Sequence, residues 1–130
     1  MKKYFAKIIA TEIEGLRMIS AYCSGAKVKT SNMKYLKDNK IFLLSLERKN
    51  VENTGIEKKI NSICKFDYVE NVKSKNINQK NQDLVLELIA IDYLKNNEDY
   101  EINLIFDNNA HIILNTETIE VKLEDQNTVE

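Results

Sequence analysis

From Ile102 to Leu114 the chain changes side-chain character at nearly every step. Ile102, Leu104 and Phe106 alternate with Asn103, Ile105 and Asp107, and after Asn108-Asn109-Ala110 the pattern resumes through His111, Ile112, Ile113 and Leu114. A period of two belongs to a strand with two unlike faces. Setting Asp107 opposite His111 pairs Phe106 with Ile112 and Leu104 with Leu114, which gathers the large apolar side chains on one surface. That surface needs a cover, and the rest of the chain must supply it.

The strongest local signal elsewhere is Thr11 followed three residues later by Glu14, the spacing of a capping box, so a helix is expected to begin there. Ile13, Leu16, Ile19 and Tyr22 or Cys23 recur along one face of it, and Gly25 suits the left-handed residue that ends it. This amphipathic helix is the candidate cover. Before it, Tyr4 to Ala10 reads as a first strand, because Lys7 interrupts the apolar run that a signal peptide would need.

After Gly25 the period returns to two. Val28, Met33 and Tyr35 lead to a turn at Asp38-Asn39, and Ile41 to Leu46 returns as a strand, central because Ile41-Phe42-Leu43-Leu44 is apolar on both faces. Lys49 to Glu57 reads as a connecting loop. Between Phe66 and Val69 an extra residue predicts a bulge or bend in a long strand. Asn76 to Gln82 is a polar turn, Leu84 to Tyr93 a buried strand, Lys95 to Asp99 a turn, and Ile119, Val121 and Leu123 a last strand, with a helix turn over 116–124 as the alternative, before an acidic tail, Asp125 to Glu130. The fold expected is α+β: a mostly antiparallel sheet of about seven strands, a sandwich or an open barrel, packed with one helix near the N-terminus. Its 130 residues form a single domain, 1–130, with a strand–helix–hairpin half over 1–50 and a mostly strand half over 58–124.

The two halves differ in charge. Residues 1–65 carry 14 Lys and Arg against 6 Asp and Glu, and residues 66–130 carry 5 against 14, within a chain of net charge −1. A basic face for nucleic acid or another polyanion would draw on Lys27, Lys29, Lys34, Lys37, Lys40, Lys58, Lys59 and Lys65. The plainer expectation is that the halves neutralise each other by packing together, within one chain or across a homodimer.

Catalytic chemistry finds little to use. The one histidine, His111, falls at a hairpin tip, expected opposite Asp107, and leaves no Ser-His-Asp or Cys-His arrangement. Cys23 and Cys64 lack a Cys-x-x-Cys partner, which points to reduced thiols in the cytoplasm and to no structural zinc. Asp67 with Glu70, or Asp92 with Asp83, could meet across strands, but nothing distinguishes them from solvated faces, which is the expected reading. Gly15, Gly25 and Gly55 are isolated, so no phosphate-cradling loop exists. Tyr35, Phe42, Phe66 and Tyr68 lie near lysines as in base-stacking proteins, though aromatic residues on strands more often fill a core. The longest apolar run, Leu84 to Ile91, is broken by Glu87 and falls short of the ~20 residues that span a bilayer. No catalytic residue, metal or cofactor is expected.

Several stretches resemble one bacterial family: Ile19-Ser20-Ala21, Met33-x-Tyr35-Leu36, Phe66-x-x-Val69-x-x-Val72-x-Ser74-x-x-Ile77, Leu88-Ile89-Ala90-Ile91, Ile112-x-Leu114 and Ile119-x-x-x-Leu123-x-Asp125. The family is domain of unknown function 2948, best represented among alpha-proteobacteria, and the likeness covers nearly all of the chain. The chain departs from it in Asn108-Asn109-Ala110, where the family has a glycine-rich turn, and in using Lys where relatives use Arg. The resemblance implies a stand-alone cytoplasmic protein with no catalytic residues to carry over. The expected function is therefore a non-enzymatic binding or adaptor domain for a protein partner or its own copy, with polyanion binding and a metabolic accessory protein or enzyme with a small-molecule pocket as alternatives.

Overall fold

The alternating segments at the end of the chain become neighbouring strands of one sheet. A computed structural model describes residues 6–51, 57–78 and 80–128. It contains β1 (Lys7–Ala10), α1 (Ile13–Cys23), β2 (Ala26–Lys29), β3 (Met33–Leu36), β4 (Ile41–Val51), β5 (Glu57–Phe66), β6 (Val69–Lys75), β7 (Val85–Asn96), β8 (Asp99–Phe106), β9 (His111–Thr116) and β10 (Val121–Thr128). All ten strands belong to one antiparallel sheet in the order β1-β10-β5-β4-β2-β7-β8-β9-β6, with β3 paired to β4 beside β2. The class is the one expected, with ten strands where about seven were read, because short strands such as β2 and β3 are divided by a 3-10 turn at Thr30–Asn32.

The sheet curls without closing. Alternate residues of each strand, including Phe42, Leu44 and Leu46 on β4, Cys64 and Phe66 on β5, and Leu104 and Phe106 on β8, turn to one side and merge into a single buried cluster. α1 packs against both β1 and β7, which four strands separate in the sheet, so the sheet must bend round beneath it. Leu16, Ile19 and Cys23 are the residues it buries. Beyond the Ala26–Leu88 pair with which β2 begins, Ser20 of α1 takes over the edge of β7: the Ile91 amide donates to Ser20 Oγ at 2.9 Å.

β5 and β6 are one long strand bent at Asp67-Tyr68, as the spacing of Phe66 and Val69 foreshadowed. β9 and β10 bend beside them, and the paired ribbon is carried through the bend by Asp67 N donating to Glu120 O and Glu117 N donating to Tyr68 O. Before the bend the ribbon is β5 with β10; beyond it, β6 with β9.

Several expectations are corrected. α1 is capped at Glu12 and shows no side-chain cap hydrogen bond, so the Thr11–Glu14 box does not form; Ala10 and Gly15, packed against each other, set the helix entry instead. In the β8–β9 hairpin His111 pairs with Ile105 and Ile112 with Leu104, two residues from the expected register. Asp107 is held away from His111 because its amide donates to Glu87 O and its Oδ1 accepts from the Glu87 amide, both at 3.0 Å. A slip of two keeps every side chain on its face, so the apolar surface survives the change. At the β3–β4 turn the left-handed residue is Lys40, after Asp38-Asn39. Of the expected loop Lys49 to Glu57, residues 52–56 lie outside the described residues, and β4 and β5 pair directly up to Val51 opposite Glu57. Residues 1–5 of the expected first strand also lie outside them. Asp125, expected in a loose tail, is buried within β10.

Candidate functional site

Among the described residues, two strands whose side chains line one slot, β3 and β6, each keep an edge without a strand partner. Among those residues β3 pairs only with β4, and β6 only with β9. Between these edges lies a slot of about 470 Å³ with Met33, Tyr35, Phe42, Val72, Ile77 and Ile112 as its apolar lining and Thr30, Ser31, Ser74 and Gln82 at its polar margin. The volume falls in the range of ligand-binding clefts.

Both ends of the slot are fastened. At one end Tyr35 Oη donates to Val69 O at 2.9 Å and the Val69 amide donates to Lys40 O at 2.8 Å. Lys40 and Tyr68 take left-handed backbone conformations there, φ 57° and 59°. For a bulky residue such as Tyr68 that is a strained conformation held by its surroundings. Lys40 Nζ reaches Glu70 at 2.8 Å, and its hydrogen bond raises the lysine's pKa and lowers that of Glu70, while the hydrogen bond with Glu70 raises that of Glu117. At the other end the 76–84 connection is tied to the 3-10 turn: Thr30 N donates to Leu84 O at 2.9 Å, Thr30 Oγ1 to Asn81 O at 2.8 Å and Ser31 N to Gln82 O at 3.2 Å. The middle is left open.

A second polar cluster lies in the interior. Arg48 Nε donates to Asp125 Oδ1 at 2.9 Å and Nη2 to Oδ2 at 2.5 Å, a two-pronged pair. Ser62 Oγ donates to Oδ1 at 2.6 Å and the Ala6 amide to Oδ2 at 2.7 Å. The Tyr22 ring covers Arg48, with the guanidinium carbon 5.3 Å from its centroid. Burial raises the Asp125 pKa, but the hydrogen bonds from Arg48, Ser62 and Ala6 outweigh it and hold the carboxyl below its ordinary 3.8. Sequence reasoning missed this cluster. Its signal was present, since Arg48 continues the inward series Phe42, Leu44, Leu46, and Asp125 continues Val121, Leu123.

The cluster is a poor reagent. Its carboxylate is fully engaged and its side chain has no exposed surface. Burial also pushes the Cys23 thiol up to about 12 and the Cys64 thiol well above its ordinary value, which suppresses the nucleophilic thiolate. Among the described residues, no three His, Cys, Asp or Glu side chains are grouped to hold a metal ion.

The eight lysines fall on separate parts of the surface. Lys27 and Lys29 line an outer concavity of about 460 Å³ beside β4 and β5. Lys34, on β3, and Lys37, in the turn after it, flank the slot, with Lys40 at its fastened end. Lys58, Lys59 and Lys65 run along β5. Carboxylates meet several of them, among them Glu87 with Lys27 at 2.8 Å, Glu70 with Lys40, Glu47 with Lys59 at 3.7 Å and Asp67 with Lys65 at 3.6 Å.

Of the four aromatic residues read as possible stacking platforms, Phe42 and Phe66 are core residues with ring centroids 6.2 Å apart. Tyr35 is half-buried in the slot, and Tyr68 is 46% exposed. His111 opens β9, with Nδ1 3.2 Å from Asn103 Oδ1. Asp92 accepts from the Tyr93 amide, and Asp83 lies in the 76–84 connection. No described helix is long and apolar enough to cross a membrane.

The family model described as "Protein of unknown function (DUF2948)" matches residues 6–130. No curated protein and no solved structure matches the chain.

Proposed function

The chain belongs to the DUF2948 family, and on that premise we propose that it is a non-enzymatic binding domain whose ligand enters the slot between β3 and β6. The observation that carries this reading is the slot itself: apolar within, polar at its margin, and anchored at both ends so that its walls are fixed before a ligand arrives. A preformed cleft loses less ordering entropy on binding than a flexible one. The titratable groups described in the interior are engaged or suppressed, which favours binding over turnover. The free thiols Cys23 and Cys64 favour a reducing compartment, the cytoplasm.

The test compares thermal shifts caused by a library of metabolites and short peptides on the native chain and on Val72→Arg, which places a long charged side chain in the slot. A ligand that binds the native state raises Tm by mass action. The expected hits raise Tm of the native chain and lose that shift in the variant. Hits with equal shifts in both would contradict the assignment, and so would product formation from any compound that a single substitution abolishes.

A further inference from the structure

We infer that the slot takes an anionic amphiphile, a single alkyl chain ending in a carboxylate, with the chain between β3 and β6 and the head at the mouth; this step rests on the slot being the binding site. The lining decides the body of the ligand. Met33, Tyr35, Phe42, Val72, Ile77 and Ile112 present an apolar surface, and no side chain that lines the slot is charged. Tyr35 Oη already donates to Val69 O, and Thr30 Oγ1 to Asn81 O. A charged group seated among these side chains would lose water with no partner to replace it, whereas hydrocarbon is stabilised there.

Shape decides the length. The lining runs along β3 from Met33 to Tyr35 and along β6 from Val72 to Ser74, and both ends are fastened, so the slot is elongated along the strands. β3 spans four residues, about 13 Å at ~3.3 Å per residue, which is the reach of a medium-length alkyl chain.

Charge decides the head. Next to the lining side chains, exposed lysines turn to the other face of each strand: Lys34 beside Tyr35, and Lys73 and Lys75 on either side of Ser74. Lys37 follows in the turn after β3. Over β3, that turn and β6, the four lysines are set against Asp38 alone, since Glu70 is bound to Lys40, and Lys80 and Asp83 offset each other on the 76–84 connection. Among the described residues none of the four is held in an ion pair. Lysine carries its charge on a long flexible stem, so Lys34 and Lys73 can swing over the open middle from the two edges. A positive mouth over an apolar interior complements a carboxylate on a hydrocarbon chain.

The test is calorimetric titration of the full chain at low salt with decanoate and with decylammonium, each below the concentration at which it forms micelles. Two variants accompany it: Lys34→Glu with Lys73→Glu, both exposed so that the fold is retained, and Val72→Trp, which fills the slot without adding charge. The native chain is expected to bind decanoate saturably and roughly tenfold more tightly than decylammonium. The double lysine variant should reverse that order, and Val72→Trp should remove binding of both. Equal affinity for the two heads, or an order that the double variant leaves unchanged, overturns the anion assignment; if Val72→Trp still removes binding in that case, the slot reading stands. Decanoate binding that Val72→Trp leaves intact overturns both. If neither amphiphile binds while other small molecules give shifts that Val72→Arg removes, the amphiphile proposal fails and the slot reading stands; if nothing binds, both fail.

Discussion

At the scale of single residues, Arg48 and Asp125 matter most to stability. A buried ion pair gains little net energy over an apolar substitute, but removing one partner leaves the other charged and unpaired. Asp125→Asn is therefore expected to lower unfolding stability by about 3–5 kcal/mol at neutral pH. Because the folded carboxyl titrates below its ordinary 3.8, its contribution is complete above that value and is lost as pH falls below it. Denaturant titrations of the native chain and the variant should thus converge as pH drops below about 4; a gap that stayed constant with pH would contradict the pairing. Arg48 and Asp125 fall in phase with the inward residues of β4 and β10, but charged residues at the end of a strand are usually solvated, so Asp125 read as the start of a loose tail. Only the juxtaposition of β4, β5 and β10 reveals the partner.

Among the elements, α1 shows what sequence can and cannot settle. Its apolar face and its glycine terminator were legible: Leu16, Ile19 and Cys23 are buried, and Gly25 has φ +85°. Its start was not, because a capping box competes with tertiary contacts that a local pattern does not contain. A Cβ on Gly15 would stand 2.8 Å from Ala10 Cβ, closer than side chains approach. Gly15→Ala is expected to cost about 1–3 kcal/mol by forcing α1 off β1, despite alanine's better helix propensity. Gly25→Ala meets no neighbour within 4 Å, so its cost, about 1–2 kcal/mol, comes from the left-handed backbone alone. Adding Ala10→Gly to Gly15→Ala removes the Cβ contact but leaves Ala10 Cα 2.9 Å from the new side chain, so it should recover part of the stability lost at Gly15, and chemical denaturation measures it. No recovery would show that α1 and β1 meet differently.

For the whole molecule, charge imbalance along the sequence becomes contact between its halves. Lys27–Glu87, Lys40–Glu70 and Arg48–Asp125 each join a cation of the first half to an anion of the second. The sheet class, the helix and its buried face followed from periodicity, since each depends on residues close in sequence. The order of strands did not, because β5, β10 and β1 meet through pairings that no local pattern encodes. For the same reason the slot stayed invisible: Met33, Tyr35, Val72 and Ile112 read as ordinary core, and it takes the missing β3–β6 ladder to turn them into a lining. That gap between β3 and β6 is the claim on which the rest depends. Amide hydrogen exchange read residue by residue tests it most directly. An open gap predicts that within Met33–Leu36 and Val72–Lys75 alternate amides, those turned away from β4 and β9, exchange rapidly, while β4 and β8 stay protected. Uniform slow exchange along β3 and β6 in the free chain would mean that the two edges are already joined, and would contradict the account.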